Sequence, residues 1–156
     1  MIEKASIEEV ENILFVINTS NRKAYQSVFL KEHFKDPVLS LQELHALFER
    51  MQFFVYRSED VIVGVAALSV EGVDMGQIHW VYILPEYQRR GIGTALVRHL
   101  EQRAMEKGLC RVKLHTLGIA LWAITFYEKL GYGITGKIDK PWGFDVVMEK
   151  RLENPR

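Results

Sequence analysis

The spacing of apolar residues changes period near residue 52. Before that point Val10, Ile13, Leu14 and Ile17 recur at helical intervals, and Ser6-Ile7-Glu8-Glu9 has the order of a capping box. Together they predict a helix from residue 7 to about residue 18, preceded by a short strand over residues 1–5. A second, less regular helical stretch is expected over residues 18–36, ending before Pro37. Ser40-Leu41-Gln42-Glu43 repeats the capping-box order and opens a helix through Leu44, Leu47 and Phe48.

Beyond residue 52 the pattern turns to strands. Phe53-Phe54-Val55-Tyr56 and residues 61–70, separated by Ser58-Glu59-Asp60, read as a β-hairpin. The second run is apolar on both faces, so it belongs in the middle of a sheet covered twice. Residues 77–84 form the next expected strand. A helix then spans 91–107, with Ile92, Leu96, Leu100 and Ala104 inward and Thr94, Arg98, Glu101 and Gln102 toward water. Lys107-Gly108 stops it, a cation near the negative end with glycine beyond. A strand over 111–115, a helix over about 120–130 stopped by Gly131, and strands near 133–138 and 144–150 around Lys140-Pro141-Trp142-Gly143 complete the chain. The strand–helix–strand crossover calls for parallel pairing with a right-handed turn. No repeat, linker or low-complexity segment interrupts this, and the whole predicts one α/β domain with a mixed sheet.

Composition narrows the function without naming it. At 156 residues and 48% apolar content the chain can fill a hydrophobic core. Its 20 basic and 20 acidic residues balance, so no global field favours nucleic acid. Cys110 is the single cysteine, which excludes an internal disulfide framework and fits packing at a strand start. No apolar run reaches the ~20 residues of a membrane span, and the N-terminus lacks the layout of a signal peptide. A cytoplasmic protein is the expectation. His33 and His45 stand apart from His79 and His115 with no ligand spacing, so no metal site is expected. No nucleophile elbow supports a Ser–His–Asp arrangement.

The most informative stretch is Pro85-Glu86-Tyr87-Gln88-Arg89-Arg90-Gly91-Ile92-Gly93-Thr94. It joins an apolar strand to an amphipathic helix through two arginines and two glycines. Such a junction presents N–H groups without intrahelical partners at the positive end of a helix dipole, and glycine admits close approach. It suits a phosphate or diphosphate. A P-loop would need Lys and then Ser or Thr after the last glycine, but Thr94-Ala95 follow Gly93. A dinucleotide fingerprint would need Gly or Ala where Leu96 stands.

Gln88-Arg89-Arg90-Gly91-Ile92-Gly93 matches the Q/R-x-x-G-x-G/A signature, and on it the chain resembles the GNAT superfamily of acyl-CoA-dependent N-acetyltransferases. The approach Ile83-Leu84-Pro85-Glu86-Tyr87 and the helix ending Phe126-Tyr127-Glu128-Lys129-Leu130-Gly131-Tyr132 carry the same likeness, while residues 1–50 match only in general pattern. The resemblance implies a single-domain α/β (α+β) fold with a mixed, mostly antiparallel sheet of about seven strands, a splayed parallel central pair and flanking helices. Residues 1–50 would form a helical acceptor side and residues 52–151 the cofactor-binding core.

The implied cosubstrate is acetyl-CoA (coenzyme A). Its phosphates would rest on Gln88, Arg89, Arg90, Gly91, Ile92, Gly93 and Thr94, and its pantetheine arm along the main chain of Val81 and Ile83. That needs a splayed strand, which a bulge before Pro85 would supply. The two arginines cannot be told apart by position, and Lys129 is either a further phosphate contact or a solvated helix-end charge. Many relatives carry asparagine where Ala120 stands, so that side-chain contact is missing here.

Direct acetyl transfer to an amine expels a thiolate, which benefits from a nearby proton donor. Family likeness places Tyr127 there as general acid, although Phe126-Tyr127 also fits a packed aromatic pair. An amine of pKa ~10.4 must lose a proton at a cost of about 4.6 kcal/mol at pH 7. His79 is the candidate base, sharing one strand face with Val81 and Ile83 by period two; it also fits a hydrogen-bonded core histidine. His115 or a water chain are alternatives. The glutamate base of many relatives would fall near Gln77, whose amide cannot serve.

An acceptor pocket would be walled by Tyr25, Phe29, His33, Phe34, Trp142 and Phe144, and aromatics there can hold a cation. Phe29 and Phe34 fit the core equally. The acceptor is a small-molecule or peptide amine, with no nucleic acid or membrane partner, and family habit allows a homodimer. Two functional readings follow: an N-acetyltransferase, or a non-catalytic acyl-CoA-binding or sensing module of the same fold. Retention of Tyr127 favours the first.

Overall fold

The computed structural model describes residues 1–153. Strand β1 (Ile2–Lys4) leads through Ser6 into a 3-10 turn (Ile7–Glu9) and helix α1 (Val10–Tyr25). Helix α2 (Leu41–Phe48) and the hairpin β2 (Gln52–Ser58) and β3 (Val61–Val70) follow. Then come β4 (Met75–Ile83), a second 3-10 turn (Pro85–Tyr87), α3 (Ile92–Glu106), β5 (Arg111–Leu117), α4 (Leu121–Lys129), β6 (Gly133–Lys140) and β7 (Gly143–Arg151). The strands form one seven-stranded sheet in the order β1-β2-β3-β4-β5-β7-β6. Among the described strands only β4 and β5 pair in parallel, as the crossover through α3 requires.

Both capping boxes form. Ser6 and Ser40 accept main-chain N–H groups while Glu9 and Glu43 reach back to the serine N–H. Helix α1, however, does not end near residue 18. It continues to Tyr25 because its next turns are held by tertiary contacts: the Asn18 amide exchanges bonds of 2.9 and 3.1 Å with the Leu39 main chain. Arg22 meets Asp36 at 2.8 Å. The separate helix expected over 18–36 is therefore absent; its first part extends α1, and residues 26–36 return in turns. The β2–β3 turn is tight, with Glu59 and Asp60 both in the left-handed region.

Strand β3 is buried from Ile62 to Ser69 and lies under α1 on one face and α3 on the other. The stripe Ile92, Leu96, Leu100 and Ala104 seats α3, each large apolar side chain contributing ~1.5–3 kcal/mol by its burial. Two side chains depart from expectation. Glu101 is buried rather than facing water, because Tyr132, Lys150 and Arg98 all donate to its carboxylate. Cys110 is exposed rather than packed: its main chain is pinned by Asp74 and Leu152, and its thiol turns outward to Asp74 Oδ2 at 3.4 Å.

The sheet opens where the crossover begins. Pairing of β4 with β5 stops at Gln77–Lys113, although β4 runs on to Ile83 and β5 to Leu117. β4 also carries a bulge, at Trp80–Val81 rather than just before Pro85: His79 pairs Ala67 and Tyr82 pairs Val65, leaving two residues opposite Ala66. Trp80 takes φ +54° to achieve this. The extra residue inverts the alternation. His79 and Tyr82 share the face under α1, and Ile83 points the other way, toward Gly64, Ile92 and Leu96. His79, Val81 and Ile83 thus do not share a face.

Candidate active site

The loop after β4 is built to leave its amides open. Leu84 N–H closes the strand on Val63 O at 2.9 Å, and Pro85 starts the 3-10 turn with its fixed φ. Arg89 (φ +63°) and Gly91 (φ +80°) then reverse the backbone into α3. Gly91 is the N-cap and offers no side chain, so no capping side chain occupies the helix start. Among the described residues, the N–H groups of Arg89, Arg90, Gly91, Ile92, Gly93 and Thr94 find no protein acceptor; the first intrahelical bond is Ala95 N–H to Gly91 O at 3.0 Å. Exposed donors in series at a helix N-terminus form an anion cradle.

The structure separates the two arginines. Arg90 folds back, donating to Glu86 O at 3.1 Å with its guanidinium 5.0 Å from the Tyr87 ring centre. Arg89 is exposed and has no hydrogen-bond partner among the described residues. Gln88 donates to Ile83 O at 3.1 Å, tying the loop to the strand end. Lys129 is an exposed residue at the last turn of α4.

Gly93 links this cradle to Tyr127. A Cβ there would lie 3.3 Å from the Phe126 ring, so α3 approaches α4 as closely as glycine permits. Tyr127 follows in sequence, 9% exposed, edge-on to Phe126 at 4.9 Å and to Tyr132 at 5.8 Å. It is both a packed aromatic and a free donor: its hydroxyl meets no protein partner among the described residues. Burial, with Tyr25 nearby, pushes its phenol well above the ordinary tyrosine range, so it stays protonated. Ala120 caps α4 fully buried and with no side-chain bond, so it gives a ligand nothing but main chain.

His79 stands where β4 and β5 begin to part, with His115 at the corresponding position of β5 two residues beyond the last pair. His79 Nε2 is 2.8 Å from Ser69 Oγ. Burial lowers its pKa below the usual imidazole value, opposed by Glu71 and reinforced by His115, Lys113 and Arg50. His115 is exposed, and its pKa is also lowered, by partial desolvation and then Lys113. Gln77 is buried at the base of the wedge.

Aromatic rings line the α1 side. Tyr25 is 6.0 Å from Trp122 and 6.1 Å from Phe29, and Phe29 is 5.8 Å from Trp142 edge-on. Phe144 instead covers Gly118, where any Cβ would collide with its ring at 2.2 Å. His33 and Phe34 are half-buried and join no ring contact of that row; His33 lies 3.8 Å from Glu32. Sequence reasoning missed Trp122, Asn21 and Tyr82, whose hydroxyl donates to Asn21 at 2.9 Å. A tyrosine inside the motif strand and a tryptophan opening α4 were the available signals. Among the described residues no group of side chains could hold a metal ion, and no helix is long and apolar enough to cross a membrane.

The model of the acetyltransferase (GNAT) family matches residues 15–132. The chain is 30% identical over 115 residues to the uncharacterized protein YyaT of Bacillus subtilis (strain 168), covering 74% of this chain and 75% of that protein. It is 25% identical over 164 aligned residues to the spermidine N(1)-acetyltransferase of Thermoplasma acidophilum, covering 98% of each. The fold superposes with a TM-score of 0.81 on the crystal structure of the PaiA N-acetyltransferase of Thermoplasma acidophilum in complex with coenzyme A. That match has 21% identity and covers 97% of this chain and 98% of that one.

Proposed function

The chain belongs to the GNAT acetyltransferase family and takes acetyl-CoA as its acyl donor; on that premise we propose that it acetylates a primary amine by direct attack within a ternary complex. One observation carries this reading. The edge of β4 from Ile78 to Ile83, which β5 does not pair, leads through the 3-10 turn into the uncovered amides of residues 89–94. An extended, amide-bearing arm ending in a diphosphate needs those two features end to end. Val81 and Ile83 would guide the arm, and Gln88, Arg89, Arg90, Gly91, Ile92, Gly93 and Thr94 would surround the phosphates, Arg89 with its charge and Arg90 by holding the turn.

At the reacting end, the amine nitrogen bonds to the acetyl carbon, the carbon–sulfur bond breaks, and the departing sulfur takes a proton. Tyr127 is the donor in this reading, being buried, protonated and unengaged, and its phenolate is then restored by the second proton that the nitrogen sheds on becoming an amide. His79 takes the proton that the ammonium must shed. Tyr25, Phe29, Trp122 and Trp142, with the first helices, would wall the acceptor and hold a cationic amine over their rings. The spermidine acetyltransferase among the relatives makes polyamines the first acceptors to try.

Acetyl-CoA binding by calorimetry and thiol release with a panel of polyamines, aminoglycosides and peptide N-termini test this together. Tyr127→Phe should lower kcat by roughly 10²-fold and leave acetyl-CoA affinity unchanged. An unaltered rate removes Tyr127 as acid. Tight binding without release for any amine would favour a sensing module, for which the bare, capless Ala120 speaks.

A further inference from the structure

The face of β4 that carries His79 also carries a polar chain with no part in the reading above. Ser69, 7% exposed near the end of β3, donates its hydroxyl proton to Glu71 Oε2 at 2.8 Å. The same oxygen is 2.8 Å from His79 Nε2. A hydroxyl has one proton, and an ionised carboxylate has none to give. With that proton committed to Glu71, Ser69 Oγ accepts from His79. The neutral imidazole therefore holds its proton on Nε2 and keeps Nδ1 as a lone pair. Nδ1 has no protein partner among the described residues. Glu71 is anchored too, since its N–H closes the β3–β4 hairpin on Met75 O at 2.8 Å.

We propose that Ser69 and Glu71 are positioning residues that fix His79 as the Nε2–H tautomer and so reserve Nδ1 for the acceptor's proton. The proposal rests on His79 acting as the base. In that step an ammonium N–H bond breaks, the nitrogen keeps the electron pair, and the proton binds Nδ1. The resulting imidazolium still donates through Nε2 to Ser69, and Glu71 offsets its charge. Of the charged and titratable groups facing the ring (Glu71 beyond β3, His115 and Lys113 on β5, Arg50 after α2), Glu71 is the acid. After product leaves, Nδ1 returns the proton to water.

Imidazole nitrogen NMR of the full chain tests this apart from turnover. Neutral His79 should show protonated Nε2 and bare Nδ1; Ser69→Ala should give a tautomer mixture, and Ser69→Thr should restore the single form. With the correct tautomer only partly populated, Ser69→Ala should lower kcat/KM for the amine about tenfold without changing acetyl-CoA affinity. A wild-type Nδ1–H tautomer, or a ratio that Ser69→Ala does not move, overturns the proposal. His79→Ala separates it from the underlying reading. If His79→Ala turns over normally, His79 is not the base and the proposal falls with it. If His79→Ala is inactive while Ser69→Ala matches wild type in tautomer and rate, only the positioning role is lost.

Discussion

Helix α3 touches two polar regions built in opposite ways. Halfway along it, the carboxylate of Glu101 is 5% exposed and accepts from Tyr132 Oη at 2.7 Å, from Lys150 Nζ at 3.1 Å on both oxygens, and from Arg98 at 3.1 Å. At its N-terminus, consecutive main-chain donors meet no protein acceptor among the described residues. A buried charge survives only when its partners are supplied, so the Glu101 cluster reads as scaffold that ties α3 to β7 and to residue 132. Unpartnered amides are tolerated only where solvent or a ligand reaches them. Along α3, the partnered side chains belong to the frame and the unpartnered amides to the candidate site.

That contrast can be broken most forcefully at Glu101. Glu101→Ala leaves the Lys150 ammonium without its carboxylate, and should cost about 3–5 kcal/mol. Urea denaturation should show a lower midpoint at unchanged slope. A midpoint that stays put would mean the cluster is not structural. Gly91→Ala probes the other region. Apart from its chain neighbours, no atom of the described residues lies within 4 Å of the added Cβ, but φ +80° disfavours it, by about 1–2 kcal/mol. Acetyl-CoA should bind about tenfold more weakly with Tyr132 and Glu101 undisturbed. Arg89→Ala should weaken binding by a smaller factor, within the ~0.2–1 kcal/mol of an exposed charge, and more than Arg90→Ala does. The reverse order would show that the turn-bound arginine grips the phosphates.

The mildest effect concerns pH. Burial holds His79, His99 and His115 below the ordinary imidazole value of 6.5. Below that value the unfolded chain takes up protons that the folded chain refuses, so stability falls as pH drops from 6.5 toward the folded pKa values. A Tm series through that window should decline before Glu9, Asp36 and Glu43, whose pKa values are lowered by their partners, begin to protonate.

Much of this was readable from local signals. Both capping boxes, the α3 stripe, the parallel crossover, the glycine-bearing loop and the aromatic ending at Tyr127 each rest on residues close in sequence. What escaped rests on distance. Glu101 looks solvent-facing until Tyr132 and Lys150, 31 and 49 residues away, fold against it. α1 runs past residue 18 because Leu39 and Asp36 return to hold it. The bulge at Trp80 has no glycine or proline to announce it, so simple alternation misassigned the faces of Val81 and Ile83. Ser69 gains its imidazole partner only once His79, 10 residues on, folds beside it.

Trp80's left-handed backbone acts as a phase shifter. Upstream of it odd-numbered side chains look toward α1; downstream an even-numbered one does. Anyone grafting this strand into another scaffold must therefore conserve the residue count between His79 and Ile83 before worrying about identities. Removing one residue there would hand the imidazole and the cradle to opposite partners, leaving each intact and neither able to serve the other.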